Sequence, residues 1–327
     1  MDKPNIVVTF QAPQEMKALL QELLGSAGTL IFLDEVPPAQ RRETLEHADV
    51  LLAWNFPREI SAGEHPYLQH VRFIQLVSAG ADHMPFAELP SQITIASNPG
   101  AYAVPMAEHV MALTLALAKR VCLENEKLKQ GEFDQFTPNR LLAGATAGIL
   151  GFGGIGQATA HLMRAFHMHI YAINTSGVTS EQVEFIGTLH DLRHVLRASD
   201  VIVISLPLTK ETRGLIGKEQ LDWMKPDAIL INVARGAIID EEALYNHAKS
   251  HPNFLVGIDA WWTEPFLHGQ FRMEYPFLDL PNVLGSPHNS GLVPGTMPQA
   301  MRLATENIIH FLNGEKVRGM IARNAYV

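Results

Sequence analysis

The chain has 327 residues, 47% of them hydrophobic and 18% charged, which is enough for two domains with separate cores. Its net charge of −9, from 25 Lys and Arg against 34 Asp and Glu, argues against general affinity for nucleic acid or anionic lipid, so the expected partner is a small molecule. No apolar run has the length of a membrane span, residues 1–10 carry no cleavable signal pattern, and the single Cys122 cannot form an internal disulfide. With no Cys/His cluster at zinc spacing, the expectation is a cytoplasmic protein without a metal, a membrane or a nucleic-acid partner.

The first hundred residues alternate strand and helix patterns. Strands are predicted at 6–10, 29–33, 50–53, 73–77 and 93–96, with helices at 14–24 and 38–47, as in a parallel sheet covered on both faces. The strand near 76 runs into the small-residue turn Ser78-Ala79-Gly80, where backbone N–H groups could meet an anion or could simply end the strand. Asn98-Pro99-Gly100 reads as a domain boundary. One long helix is predicted from there, over 104–129, with Met106, Val110, Leu113, Leu117 and Val121 on one side; that face needs cover from its own subunit or from another copy.

At residues 147–173 a short apolar strand, the turn Gly151-Phe152-Gly153-Gly154-Ile155-Gly156, an amphipathic run and a second strand follow one another. Gly151 permits the tight turn, Gly153 lets backbone approach a pyrophosphate, and Gly156 lets the helix pack on the strand, while the helix N-terminus offers unpaired N–H groups to the anion. A GxGxxG spacing can arise by chance among 24 glycines, but the flanking strand and helix supply the context that dinucleotide binding requires. The second strand ends in Asn174-Thr175-Ser176-Gly177, with neither an acid for a ribose 2′-hydroxyl nor an arginine for a 2′-phosphate, so the choice between NAD and NADP stays open. Further strands at 201–204, 229–233, 255–259 and 283–285, with helices at 189–198 and 241–250, complete a roughly six-stranded doubly wound sheet.

Ligands bind such sheets at the carboxyl ends of the strands, and three polar stops fall there: Arg235 after one strand, Asp259 and then Glu264 after the next, His288 after the last. Any one of them has an ordinary explanation as a surface ion pair, a loop acid or one of 15 histidines. Together, an arginine, a carboxylate and a histidine on successive strand ends suit proton-coupled hydride transfer.

These residues also carry a resemblance. The glycine motif, Ser205-Leu206-Pro207-Leu208-Thr209 through Thr212, Asn232-Val233-Ala234-Arg235-Gly236, Asp259 with Glu264-Pro265, and Pro287-His288 resemble the D-isomer-specific 2-hydroxyacid dehydrogenase family, in its glyoxylate/hydroxypyruvate reductase-like form. The likeness runs in order from about residue 76 to the C-terminus and includes Ala107-Glu108-His109 and Glu306-Asn307-Ile308; the first seventy residues fit only in their α/β pattern. It implies two Rossmann-like α/β domains with doubly wound parallel sheets: a substrate (catalytic) domain at 1–99 plus 290–327, a dinucleotide-binding domain inserted at 100–289, and a cleft between them for the substrate. It also implies a homodimer paired through the helix after Asn98.

By the same resemblance, NAD or NADP is held by Gly151, Phe152, Gly153, Gly154, Ile155, Gly156, Asn174, Thr175, Leu206, Pro207, Thr212, Val233, Ala234 and Asp259. The 2-keto or 2-hydroxy acid meets Ser78, Ala79, Gly80, Arg235 and His288, and Arg235, Glu264 and His288 are catalytic, with Glu264 orienting His288. Dehydrogenase-related corepressors that sense NAD(H) keep the same three residues; the lack of a long disordered tail or a charge block here favours catalysis. Trp261-Trp262 and the longer stretch 266–275 depart from the family pattern, and Glu264 stands where formate dehydrogenases usually carry glutamine.

Overall fold

A strand can lie parallel to its predecessor only after a crossover long enough to hold a helix, and this chain repeats that unit almost throughout. The computed structural model, which describes residues 3–327, separates into two compact units: residues up to Tyr102 together with Pro294–Val327, and Ala103–Val293.

The first unit contains β1 (Asn5–Val8), α1 (Gln14–Leu24), β2 (Thr29–Phe32), α2 (Pro38–Glu46), β3 (Val50–Ala53), the short α3 (Phe56–Glu59), β4 (Phe73–Leu76) and β5 (Thr94–Ala96). Its strands are all parallel in the order β2-β1-β3-β4-β5, so the winding reverses between β1 and β3. The C-terminal helix Thr296–Leu312 returns to this unit and buries Ala300, Met301, Ala304 and Ile308 in a core shared with Leu20 and Leu24 of α1. Gln75, wholly buried in β4, donates from Nε2 to the carbonyls of Leu76 (2.8 Å) and Ser97 (3.1 Å), and Asn307 of the same helix satisfies its other end by donating Nδ2–H to Gln75 Oε1 at 2.7 Å.

In the second unit the chain runs through α4 (Ala103–Ala118), α5 (Val121–Lys129), β6 (Thr146–Leu150), α6 (Gly154–Ala165), β7 (His169–Ile173), β8 (Phe185–Gly187), α7 (Leu192–Ala198), β9 (Val201–Ile204), α8 (Lys218–Trp223), β10 (Ile229–Asn232), α9 (Glu241–Ser250), β11 (Leu255–Ile258), α10 (Pro265–His268) and β12 (Val283–Gly285). The strands form one seven-stranded parallel sheet in the order β12-β11-β10-β9-β6-β7-β8. Strands β9 and β10 are buried at every residue, as expected where helices cover both faces. On one face Val110, Leu113 and Leu117 of α4 pack with Ala160 and Met163 of α6; on the other Leu196, Leu221, Leu244 and Phe254 close the second core. None of the described helices is long and apolar enough to cross a membrane.

Two local expectations are corrected. The predicted helix over 104–129 is two helices, broken at Arg120, whose φ of 55° lies in the left-handed region. The break is made by tertiary contacts: the Arg140 N–H donates to the Ala118 carbonyl at 2.9 Å and Lys119 Nζ donates to the Arg140 carbonyl at 2.6 Å. The sheet also has seven strands instead of six, because the three-residue β8 pairs with Tyr171–Ile173 of β7.

Helix α9 begins at Asp240, whose carboxylate accepts the Ala243 N–H at 2.8 Å, and acids at Glu241 and Glu242 complement the helix dipole. On its buried face His247 lies against Phe254 and stacks on His251 with ring centroids 4.2 Å apart. Burial, reinforced by the neighbouring His251, pushes the His247 pKa from 6.5 down to about 4. The unfolded chain therefore takes up this proton before the fold does, so the stability held above the unfolded value is lost as pH falls from about 6.5 towards about 4. We expect the wild-type melting temperature to fall more steeply across that window than that of His247→Phe, which keeps a ring in place and cannot be protonated. Parallel curves for the two proteins would contradict the assignment.

Candidate active site

Because every strand of the second unit points the same way, the loops after β6, β9, β10, β11 and β12 leave one edge of the sheet. Winding reverses between β6 and β9, which opens a crevice at their carboxyl ends. The glycine loop sits there. Gly151 has a φ of 101°, and a Cβ on it would meet the Ser205 carbonyl carbon at 2.6 Å, so the turn admits no side chain. A Cβ on Gly156 would run into the Gly151 carbonyl oxygen, so close helix-on-strand packing needs glycine here too. Gly153 differs: it is exposed, and a Cβ there would find no protein atom within 4 Å. Its open side, together with an α6 N-terminus that no side chain caps, leaves backbone N–H groups available to a pyrophosphate. A dinucleotide fits this cradle; when bound it would supply the hydride.

The remaining residues expected at the cofactor divide by what they expose. Phe152 and Val233 are buried in the core, so they contribute backbone to their loops, whereas Gly154 is exposed and Ile155 half-buried. Leu206 and Pro207 follow β9, and the Thr212 hydroxyl donates to the Pro207 carbonyl at 2.6 Å, closing that loop on itself. At the end of β7, Asn174 folds its own turn: Oδ1 accepts the N–H groups of Ser176 (3.0 Å) and Gly177 (2.7 Å), and Nδ2 donates to the Val178 carbonyl at 2.8 Å. Thr175 is left exposed beside it.

Arg235, Glu264 and His288 follow three neighbouring strands, β10, β11 and β12. Asn232, buried at the end of β10, shapes the first loop by accepting the Ala234 N–H at 3.1 Å and donating to the Arg235 carbonyl at 3.0 Å; the half-buried Arg235 donates Nη1–H to the Ala234 carbonyl at 2.8 Å. Gly236 brings this loop against the next, since a Cβ there would strike the Trp261–Trp262 peptide.

Glu264 is buried, and its carboxylate lies 2.7 and 2.8 Å from His288 Nδ1 while also accepting the Trp261 N–H at 2.6 Å. A carboxylate only accepts, so Nδ1 carries the hydrogen and Nε2 is the ring nitrogen left for proton exchange. His288 itself has a φ of 50°, a left-handed backbone that costs roughly 1–2 kcal/mol in a residue with a Cβ and must be imposed by its surroundings.

Those surroundings centre on Asp259. It is fully buried, and its carboxylate accepts from the Ser286 hydroxyl (2.6 Å) and from the N–H groups of Asn289 and Ser290 (3.3 Å each), so it holds the chain on both sides of His288. The sequence reading gave no role to Asn232, although it is the first residue of the motif that contains Arg235, or to Ser286, which stands directly before Pro287-His288. Trp261 and Trp262 pack beneath the loop: their Nε1–H groups donate to the carbonyls of Ser286 and Ile239, each at 2.8 Å, and Trp262 stacks on Phe277. Ser78, Ala79 and Gly80 belong to the other unit, in a half-buried turn after β4 where the Ser78 hydroxyl donates to the Gly80 carbonyl at 2.8 Å. Among the described residues no group of three or more His, Cys, Asp or Glu side chains is gathered as a metal site.

Comparison with known proteins places this arrangement. Residues 111–290 match the family described as D-isomer specific 2-hydroxyacid dehydrogenase, NAD binding domain. The chain is 32% identical over 325 residues to glyoxylate/hydroxypyruvate reductase B of Pectobacterium carotovorum, covering 96% of each protein. It is 30% identical over 321 residues to D-3-phosphoglycerate dehydrogenase of Methanocaldococcus jannaschii, covering 97% of this chain but 59% of that protein, so it spans little more than half of that relative's length. The crystal structure of D-lactate dehydrogenase from Aquifex aeolicus, complexed with NAD and lactic acid, matches with a TM-score of 0.74 at 25% identity, over 95% of this chain and 96% of that one. The matched span takes in both the glycine loop and the Glu264–His288 pair, and the chain belongs to the D-isomer specific 2-hydroxyacid dehydrogenase family.

Proposed function

We propose that the protein is an NAD(P)-dependent reductase of small 2-keto acids, interconverting them with D-2-hydroxy acids. The observation that carries the reading is the Glu264–His288 pair, formed between the loops after β11 and β12, next to the Arg235 loop after β10 and on the same sheet edge as the glycine cradle. Its likeness over nearly full length to a glyoxylate/hydroxypyruvate reductase supports a short substrate. In the reducing direction the planar, always charged Arg235 binds the substrate carboxylate and polarises the adjacent carbonyl. His288 gives its Nε2 proton to the carbonyl oxygen as the carbon receives the hydride, and in the reverse direction it takes that proton back. Glu264 fixes the ring and its tautomer from the Nδ1 side.

We also propose that the protein works as a homodimer. Helix α5 buries none of its side chains within the chain, and Val121, Leu128, Phe133, Phe136 and Leu141 along and after it are 54–85% exposed, an apolar surface suited to a second copy. Light scattering on the purified protein is expected to give twice the 36.2 kDa chain mass, and replacing Leu128, Phe133 and Phe136 by polar residues is expected to give the monomer.

The reaction is tested by oxidation of NADH and NADPH against glyoxylate, hydroxypyruvate, pyruvate, phenylpyruvate and bulkier 2-keto acids. Turnover with any of them supports the reading; none, with tight cofactor binding, would favour a cofactor-sensing role. His288→Ala is expected to lower kcat by roughly 10²–10⁴-fold and leave cofactor affinity nearly unchanged, whereas Arg235→Ala is expected mainly to raise KM for the keto acid. A wild-type rate in His288→Ala would remove it from the chemistry.

No acid stands at the end of β7 to repel a 2′-phosphate, and Asn174 is engaged in its own turn. NADPH and NADH are therefore expected to support kcat/KM values within about tenfold of each other. A preference for NADH above a hundredfold would show that a charge outside this turn selects the nucleotide.

A further inference from the structure

Ser286 makes two hydrogen-bond contacts through one hydroxyl. Its Oγ is 2.6 Å from Asp259 Oδ1 and 2.9 Å from His109 Nε2, on α4. A hydroxyl has one hydrogen, and at 2.6 Å from a carboxylate oxygen that hydrogen must lie on the Asp259 side, since two bare oxygens at that distance would repel. The contact with His109 then requires a donor on the ring, so Nε2 carries a hydrogen and Ser286 accepts it. The 3.6 Å separation of His109 Nε2 from Asp259 Oδ1 favours the same tautomer. The residue types match a hydrolytic triad, but the wiring does not: the serine stands between the other two, with its proton held by the carboxylate, and cannot act as a nucleophile.

Ser286 is two residues before His288. Its N–H donates to the Ile258 carbonyl at 2.9 Å, its own carbonyl accepts Trp261 Nε1–H at 2.8 Å, and Asp259 holds Asn289 and Ser290 beyond the histidine. His109 is thus the outermost link of a chain, His109 to Ser286 to Asp259, that fastens the left-handed segment around His288 to the helix packed against the sheet.

We propose that His109 is a positioning residue for the acid–base step: by donating Nε2–H to Ser286 it completes the clamp that keeps His288 aimed, without touching substrate itself. The inference rests on His288 acting as the proton donor. Without His109 the Ser286 oxygen loses its donor, Asp259 loses the neighbouring N–H, and the segment whose backbone angle costs energy to maintain is no longer tied to α4 through this link, which loosens it.

Two measurements separate the link from the reading beneath it. The first needs no activity: nitrogen NMR of histidine-labelled wild-type protein at pH 8 is expected to show the His109 ring with hydrogen on Nε2 and none on Nδ1, and the opposite tautomer would overturn the proposal. The second compares kcat, KM and NADH affinity in His109→Leu, His109→Gln and Ser286→Ala, with thermal melts to establish folding. His109→Leu and Ser286→Ala are expected to lose roughly tenfold to a hundredfold in kcat, with KM and NADH affinity little changed. His109→Gln, whose amide can donate to Ser286, is expected to recover most of that loss. Wild-type kcat in His109→Leu, or a Gln variant no better than the Leu variant, sinks the positioning role. If the wild-type protein reduces no keto acid, the reaction assignment fails while the NMR result still decides the hydrogen-bond link.

Discussion

Parallel pairing of the strands is the constraint on which the rest of this protein depends. Strands β6, β9, β10, β11 and β12 begin over a hundred residues of sequence apart at the extremes, yet parallel registration delivers their carboxyl ends to one edge. Chemistry then needs only short loops. The glycine turn, the Arg235 loop and the Glu264–His288 contact each involve residues within a few positions of a strand end, so the sheet does the long-range positioning and the loops refine it by single hydrogen bonds.

Refinement is where buried polar groups enter. Asp259, Asn232 and Glu264 are all buried, and each has its polar atoms matched by neighbours in the adjoining loops. A buried carboxylate with too few donors is unfavourable, so each of these residues fixes its loop by demanding a particular set of partners. The unusual backbone of His288 is sustained in this way, with Asp259 binding on both sides of it.

Much of this architecture was legible in sequence because strand ends announce themselves: apolar runs such as Ile229–Asn232 stop at polar residues, and the glycine loop stands between a strand and a helix. The predicted bounds of α1, β3 and α9 agree with the structure because apolar pattern and end signals coincide there. What was not legible depends on partners distant in sequence. The break at Arg120 is stabilised by Arg140, twenty residues on, and β8 is a strand only because β7 is there to pair with it. Ser286 likewise has no signature of its own; its role is defined by Asp259 and His109, 27 and 177 positions away.

The turn that Asn174 builds has a consequence for how this protein can change. Its hydrogen bonds close within residues 174–178, and apart from the Asn174 N–H, which donates to the Gly187 carbonyl at 3.0 Å, the turn asks little of the sheet. Residues 175–178 are therefore a detachable cassette, whose side chains can be exchanged without disturbing the core or the loops after β10, β11 and β12 on the far side of the crevice. Under the proposed function, nucleotide choice and acid–base chemistry would then occupy separately mutable parts of one sheet edge, so that selection could revise one while conserving the other.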